Sequence, residues 1–90
     1  MEKIIVTVVG KDRVGIIARV CTYLSEAQIN ILDISQTIVD GFFNMMVIAD
    51  VSASVKDFGT VSDELKKLGD DMGLRILAQR EEIFTEMHRI

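Results

Sequence analysis

Ninety residues, 49% hydrophobic and 27% charged, make one folded domain with its own core and leave no room for a second. Ten Lys and Arg stand against 14 Asp and Glu, a net charge of −4. Binding to nucleic acid or anionic lipid needs clustered positive charge. Here the basic residues are scattered, with Lys66-Lys67 the only adjacent pair, so neither nucleic acid nor a membrane is an expected partner. The single cysteine, Cys21, excludes an internal disulfide and any CxxC site. No stretch reads as a secretory leader or a membrane span. A cytoplasmic protein is expected.

Residues 3–9 (Lys-Ile-Ile-Val-Thr-Val-Val) are β-branched and nearly all apolar, which predicts a strand buried on both faces. A polar joint, 10–14, follows. From Gly15 to Gln28 the period changes, and Ile17, Val20, Cys21 and Leu24 fall on one stripe of a helix. Asn30 opens a second strand over 31–39. Asp40-Gly41 closes it, because a two-residue type I′ turn needs positive φ at both positions. The third strand, 42–51, places Phe43, Met45, Val47, Ala49 and Val51 on one face. Ser52 and Ser54 offer caps for a helix over 55–71, with Phe58, Val61, Leu65, Leu68 and Met72 inward. Gly73 stops it, and Leu74–Gln79 form the fourth strand.

The order is β-α-β-β-α-β. Two right-handed crossovers put both helices on one side of an antiparallel sheet, which predicts an α+β, ferredoxin-like sandwich over residues 3–80. Ile5, Val9, Met46, Ile48 and Leu77 then line the other face, an apolar patch unusual on a monomer. Residues 81–90 carry Ile83, Phe84, Met87 and Ile90 at helical spacing. They predict a C-terminal helix lying on a sheet face, its own or a partner's, and the patch predicts self-association.

The joint Gly10-Lys11-Asp12-Arg13-Val14-Gly15 has GxxxxG spacing, but Ile16-Ile17 stands where a P-loop needs Lys and Ser or Thr. What remains is a helix N-terminus with unpaired backbone N–H groups and partial positive charge. Gly15 lets a carboxylate approach those amides, and Asp12 can accept from an ammonium group. That pairing suits a free amino acid. The same residues also fit a plain reading, with Asp12 as the helix cap and Gly15 as a close-packing position. Asn30 offers a further amide, or is simply a loop residue in the left-handed region. Asp33, Gln36 and Asn44 read as solvated strand polars. Catalysis has little to draw on: Cys21 sits on the buried stripe, His88 is the only histidine, and no cluster has metal-ligand spacing. No cofactor is expected.

Asp12-Arg13-Val14-Gly15-Ile16-Ile17-Ala18-Arg19-Val20, then Gln28-Ile29-Asn30-Ile31 and Val47-Ile48, resembles the ACT domain, a small-molecule-sensing module. The likeness covers about residues 3–80, with Val14 in place of the usual proline. The segment Ile83–Ile90 looks like the tail of small stand-alone bacterial ACT proteins. These are in turn similar to the ACT units of a glycine-cleavage-system transcriptional regulator. The resemblance implies regulation rather than catalysis: side-by-side homodimers, an amino acid bound at the interface, and action through an unidentified protein partner. Carried over by position, the ligand-binding residues are Asp12, Val14, Gly15, Ile16, Asn30 and Ile31. The alternatives are a ligand-free oligomerisation module and an acylphosphatase-like hydrolase using Arg19.

Overall fold

The computed structural model describes residues 2–82. Its elements are β1 (Lys3–Lys11), α1 (Ile16–Glu26), β2 (Asn30–Val39), β3 (Phe42–Asp50), α2 (Phe58–Met72) and β4 (Arg75–Arg80). The strands form one antiparallel sheet in the order β2-β3-β1-β4. Each crossover therefore skips one strand: β1–α1–β2 spans β3, and β3–α2–β4 spans β1. This is the expected ferredoxin-like order.

Register fixes which side chains meet the helices. Val6 lies between Val47 and Ala78, and Val8 between Met45 and Ile76. These rows, with Ile4, Phe43 and Ala49, meet Val20 and Leu24 of α1 and Val61 and Leu65 of α2 in a single core. The hairpin is as expected: Val39 pairs with Phe42, and Asp40 and Gly41 take φ of 53° and 80°. β1 departs from its expectation of burial on both faces. Its helix side is buried, while on the other face Val9 is 44% exposed.

Both helices also depart in detail. On α1 the buried stripe is Ile16, Val20 and Leu24, followed by Ala27, whereas Ile17 is 38% exposed and Cys21 half-buried. Two adjacent apolar rows share Val20 and Leu24, and apolar spacing alone leaves the centre of a wide stripe undefined. The start at Ile16 turns that residue, not Ile17, toward the sheet. α2 begins at Phe58 rather than near 55. Its cap is Asp57, whose Oδ1 accepts from the Thr60 N–H at 2.8 Å. Ser52 and Ser54 serve the preceding turns instead. Ser52 donates to Asp50 Oδ1 from both its N–H and its hydroxyl, and Ser54 bonds the backbone of Lys56.

The two helices end alike. In α1 the N–H groups of Gln28 and Ile29 donate to Ser25 O and Leu24 O, and Gln28 has φ 62°. In α2 those of Gly73 and Leu74 donate to Asp70 O and Gly69 O, and Gly73 has φ 70°. Each is a Schellman turn with a left-handed residue just past the helix. The C-terminal helix expected from Ile83, Phe84, Met87 and Ile90 lies outside the described residues, as does His88. Among the described residues, no helix is long and apolar enough to cross a membrane.

Candidate ligand-binding site

The loop between β1 and α1 is held from two sides. The Asp12 N–H donates to Gly41 O at 3.0 Å, tying the loop to the β2–β3 hairpin. Arg13 Nη1 donates to Met72 O at 2.9 Å, tying it to the C-terminus of α2. That bond places a cation at the negative end of a helix, where the last carbonyls lack partners. Gly10 permits the approach, since a Cβ there would stand 2.5 Å from Leu74 Cδ2 and 3.3 Å from Leu74 Cα.

Gly15 is the N-cap of α1, at φ 91°. A Cβ on it would meet no heavy atom within 4 Å, so the glycine serves backbone conformation and not close packing. Its carbonyl accepts the first helical bond, from the Arg19 N–H at 3.0 Å. No side chain caps the helix, which sets aside the plain reading of Asp12 as the cap. The first-turn amides of Ile16, Ile17 and Ala18 have no intrahelical acceptor. Asp12 and Val14 stand in solvent, Val14 97% exposed, while the side chain of Ile16 is in the core. The loop thus offers amide donors and a carboxylate acceptor within one turn of chain. Among the described residues, no group of three His, Cys, Asp or Glu could hold a metal.

Asn30 and Ile31 are elsewhere. Asn30 pairs with Asp50, which pairs with Lys3, whereas the loop lies beyond the row of Val39, Phe42 and Lys11. Eight residues separate these rows along β1, about 26 Å at the rise of a strand. Within one protomer the loop and the Asn30 end of β2 therefore do not meet. A strand–helix–strand crossover puts its two loops at opposite ends of the sheet. Asn30 and Ile31 line an open cleft with Ser25, Gln28, Ile29 and Ala53.

β2 joins the two ends, and it is bare. Nine of its ten residues are exposed, Ile31 being half-buried. Ile34 and Ile38 sit on the helix side of the sheet, opposite Val47 and Phe43, yet Ile38 is 57% exposed. A bulge between Ile31 and Asp33 is the one irregularity in its pairing with β3. Neither Arg13 as an anchor nor the bare β2 was read from the sequence. The signal for the second was present, because β2 is an edge strand in this topology and α1 is narrower than the sheet.

The charged groups with shifted titration lie away from the loop. Glu64 on α2 accepts from Lys56 Nζ at 2.6 Å and from Tyr23 Oη on α1 at 2.7 Å. These two bonds hold its carboxyl below the usual range, that of Lys56 contributing most. Burial, then the bond and charge of Glu64, push the Tyr23 hydroxyl up. The cluster links α1 to α2. Arg19 lines an outer groove of α1 with Thr22, Tyr23, Glu26 and Leu68.

Comparison with known proteins agrees with this architecture. Residues 2–79 match the family model of the ACT domain. A UPF0237 protein of Bifidobacterium longum is 66% identical over 90 residues, spanning all of both chains, and one of Methanocaldococcus jannaschii is 46% identical over the same span. Among solved structures, an ACT domain protein from Streptococcus pneumoniae superposes with a TM-score of 0.81 at 40% identity, covering 92% of this chain and 93% of that one. A putative glycine cleavage system transcriptional repressor gives 0.75 at 25% identity, over 88% of this chain and 45% of that one. The chain belongs to the ACT-domain family of regulatory ligand-binding modules, with UPF0237 proteins as its full-length relatives.

Proposed function

We propose that this chain is a cytoplasmic amino-acid sensor whose binding site is completed when two protomers pair through their β2 edges. The observation that carries the reading is the separation of the loop from Asn30 along a bare strand. Antiparallel pairing of two β2 strands sets the Asn30 end of one beside the Val39 end of the other. The loop residues Asp12, Val14, Gly15 and Ile16 of one protomer would then face Asn30 and Ile31 of its partner. In that arrangement the first-turn amides of α1 take the ligand's carboxylate, Ile16 contributing only its N–H. Asp12 takes the ammonium group, and the Asn30 amide adds a donor and an acceptor. The pair alters a protein partner only as far as the ligand favours one state of the assembly.

The test is thermal unfolding against the twenty amino acids at millimolar concentration. A ligand at about 100 times its Kd adds roughly 2.7 kcal/mol. Asp12→Ala and Asn30→Ala should each abolish that gain while leaving the unliganded melting temperature unchanged. Full affinity in both variants would remove the site assignment. The bare, apolar β2 edge also supports a second reading, an association module without a ligand. That reading predicts dimers whose stability no amino acid changes.

A further inference from the structure

The cleft at the Asn30 end of β2 measures about 530 Å³, and Ser25, Gln28, Ile29, Asn30, Ile31 and Ala53 line it. None of the six is charged. Gln28 and Asn30 each present a carboxamide, which offers two donors and an acceptor. Neither of these side chains forms a hydrogen bond with another described residue. Asp50, the register partner of Asn30, is engaged already, since its Oδ1 accepts from the N–H and the hydroxyl of Ser52.

The backbone position of Gln28 sets it apart. It follows α1 at φ 62°, in the left-handed place that Gly73 fills after α2 at φ 70°. Glycine takes that conformation without strain, and an L side chain does not. Glutamine there keeps an amide on the wall of the cleft although its backbone is strained. Strained positions of this kind gather at binding sites.

We infer that this cleft receives the side chain of the bound amino acid, and that the ligand is a carboxamide amino acid, glutamine or asparagine. The inference rests on the ligand reading above, in which the loop of one protomer holds the ammonium and carboxylate groups. The ligand's side chain then projects toward what faces the loop, the Asn30 end of the partner's β2. An uncharged wall disfavours acidic and basic side chains, because a charge leaving water there finds no counter-ion. An apolar side chain would displace water and leave two amides without partners. A carboxamide matches them, its NH2 donating to one amide oxygen and its oxygen accepting from the other amide.

Calorimetric titration of the full chain with each of the twenty L-amino acids contains the decisive contrasts. Glutamine is nearly isosteric with glutamate and methionine, and asparagine with aspartate and leucine. One of the carboxamides should bind tightest, its charged and apolar counterparts at least about tenfold more weakly. Gln28→Gly removes one amide where the backbone suits glycine. It should weaken the carboxamide by about tenfold and erase its lead over the apolar counterpart, without lowering the unliganded melting temperature. Tightest binding of any amino acid without a carboxamide would overturn the inference and leave the amino-acid reading in place. Full carboxamide affinity in Gln28→Gly would do the same. Silence toward all twenty would overturn the amino-acid reading and this inference with it.

Discussion

The two edges of the sheet are built by the same device and finished differently. Each edge strand follows a helix through a Schellman turn, β2 after α1 and β4 after α2. β4 has six residues, with Ile76 and Ala78 buried under α2. Gly69 lets the helix backbone approach closely, since a Cβ there would stand 2.9 Å from both Leu74 O and Ile76 Cγ1. β2 has ten residues and almost no cover. Arginines begin and end β4, whereas Asp33 is the only charged residue in β2. Proteins usually blunt a bare edge with charges, proline or a short strand. The long apolar edge left open is the surface through which the proposed pairing of two protomers would run.

The comparison breaks most sharply at the covered edge. Leu65 is fully buried between α2 and the sheet, and Leu65→Ala should cost about 2–5 kcal/mol. Chemical denaturation would measure it, and amide exchange should show β4 losing protection before β2 is affected. Loss below about 1 kcal/mol would mean that α2 is not what seals this edge.

At the bare edge the same kind of change should separate association from folding. Ile38→Lys should alter protomer stability by less than about 0.5 kcal/mol, as at other exposed positions. By light scattering it should halve the mass of the particle. A dimer that survives the substitution would place the interface elsewhere.

The smallest effect tests the shared turns. Gln28 holds the left-handed position that Gly73 holds in the other half, and an L side chain there is strained. Gln28→Gly should stabilise the protein by up to about 1 kcal/mol. Gly73→Gln should destabilise it by a comparable amount. Equal and opposite shifts in melting temperature would show the two turns to be energetically alike.

Much of this fold was legible because its signals are local. Asp40-Gly41 and Gly73 announce backbone conformations that few other residues adopt easily, and both do so in the structure. The start of α2 was misread because Ser52, Ser54 and Asp57 are all competent caps. Which one acts depends on where the chain turns after Asp50, and that is set by tertiary contacts. The rotated stripe of α1 has a similar cause, since apolar residues on both sides of Val20 allow either of two rows to face the sheet. For the candidate site, the loop and its glycine were visible, and the division from Asn30 followed from strand direction. The hold of Arg13 on Met72 O was not visible, because it joins residues 59 apart in sequence.

The distance between Asp12 and Asn30 has a quantitative consequence in the cell. Under the proposed pairing, a pocket whose halves lie at opposite ends of one chain would be intact only while two chains are together. Ligand occupancy would then depend on the abundance of the protein as well as on that of the ligand. Scarce protein would report only high ligand levels, and abundant protein would answer to lower ones. Expression level would thus set the threshold of the response, without any change in the residues that touch the ligand.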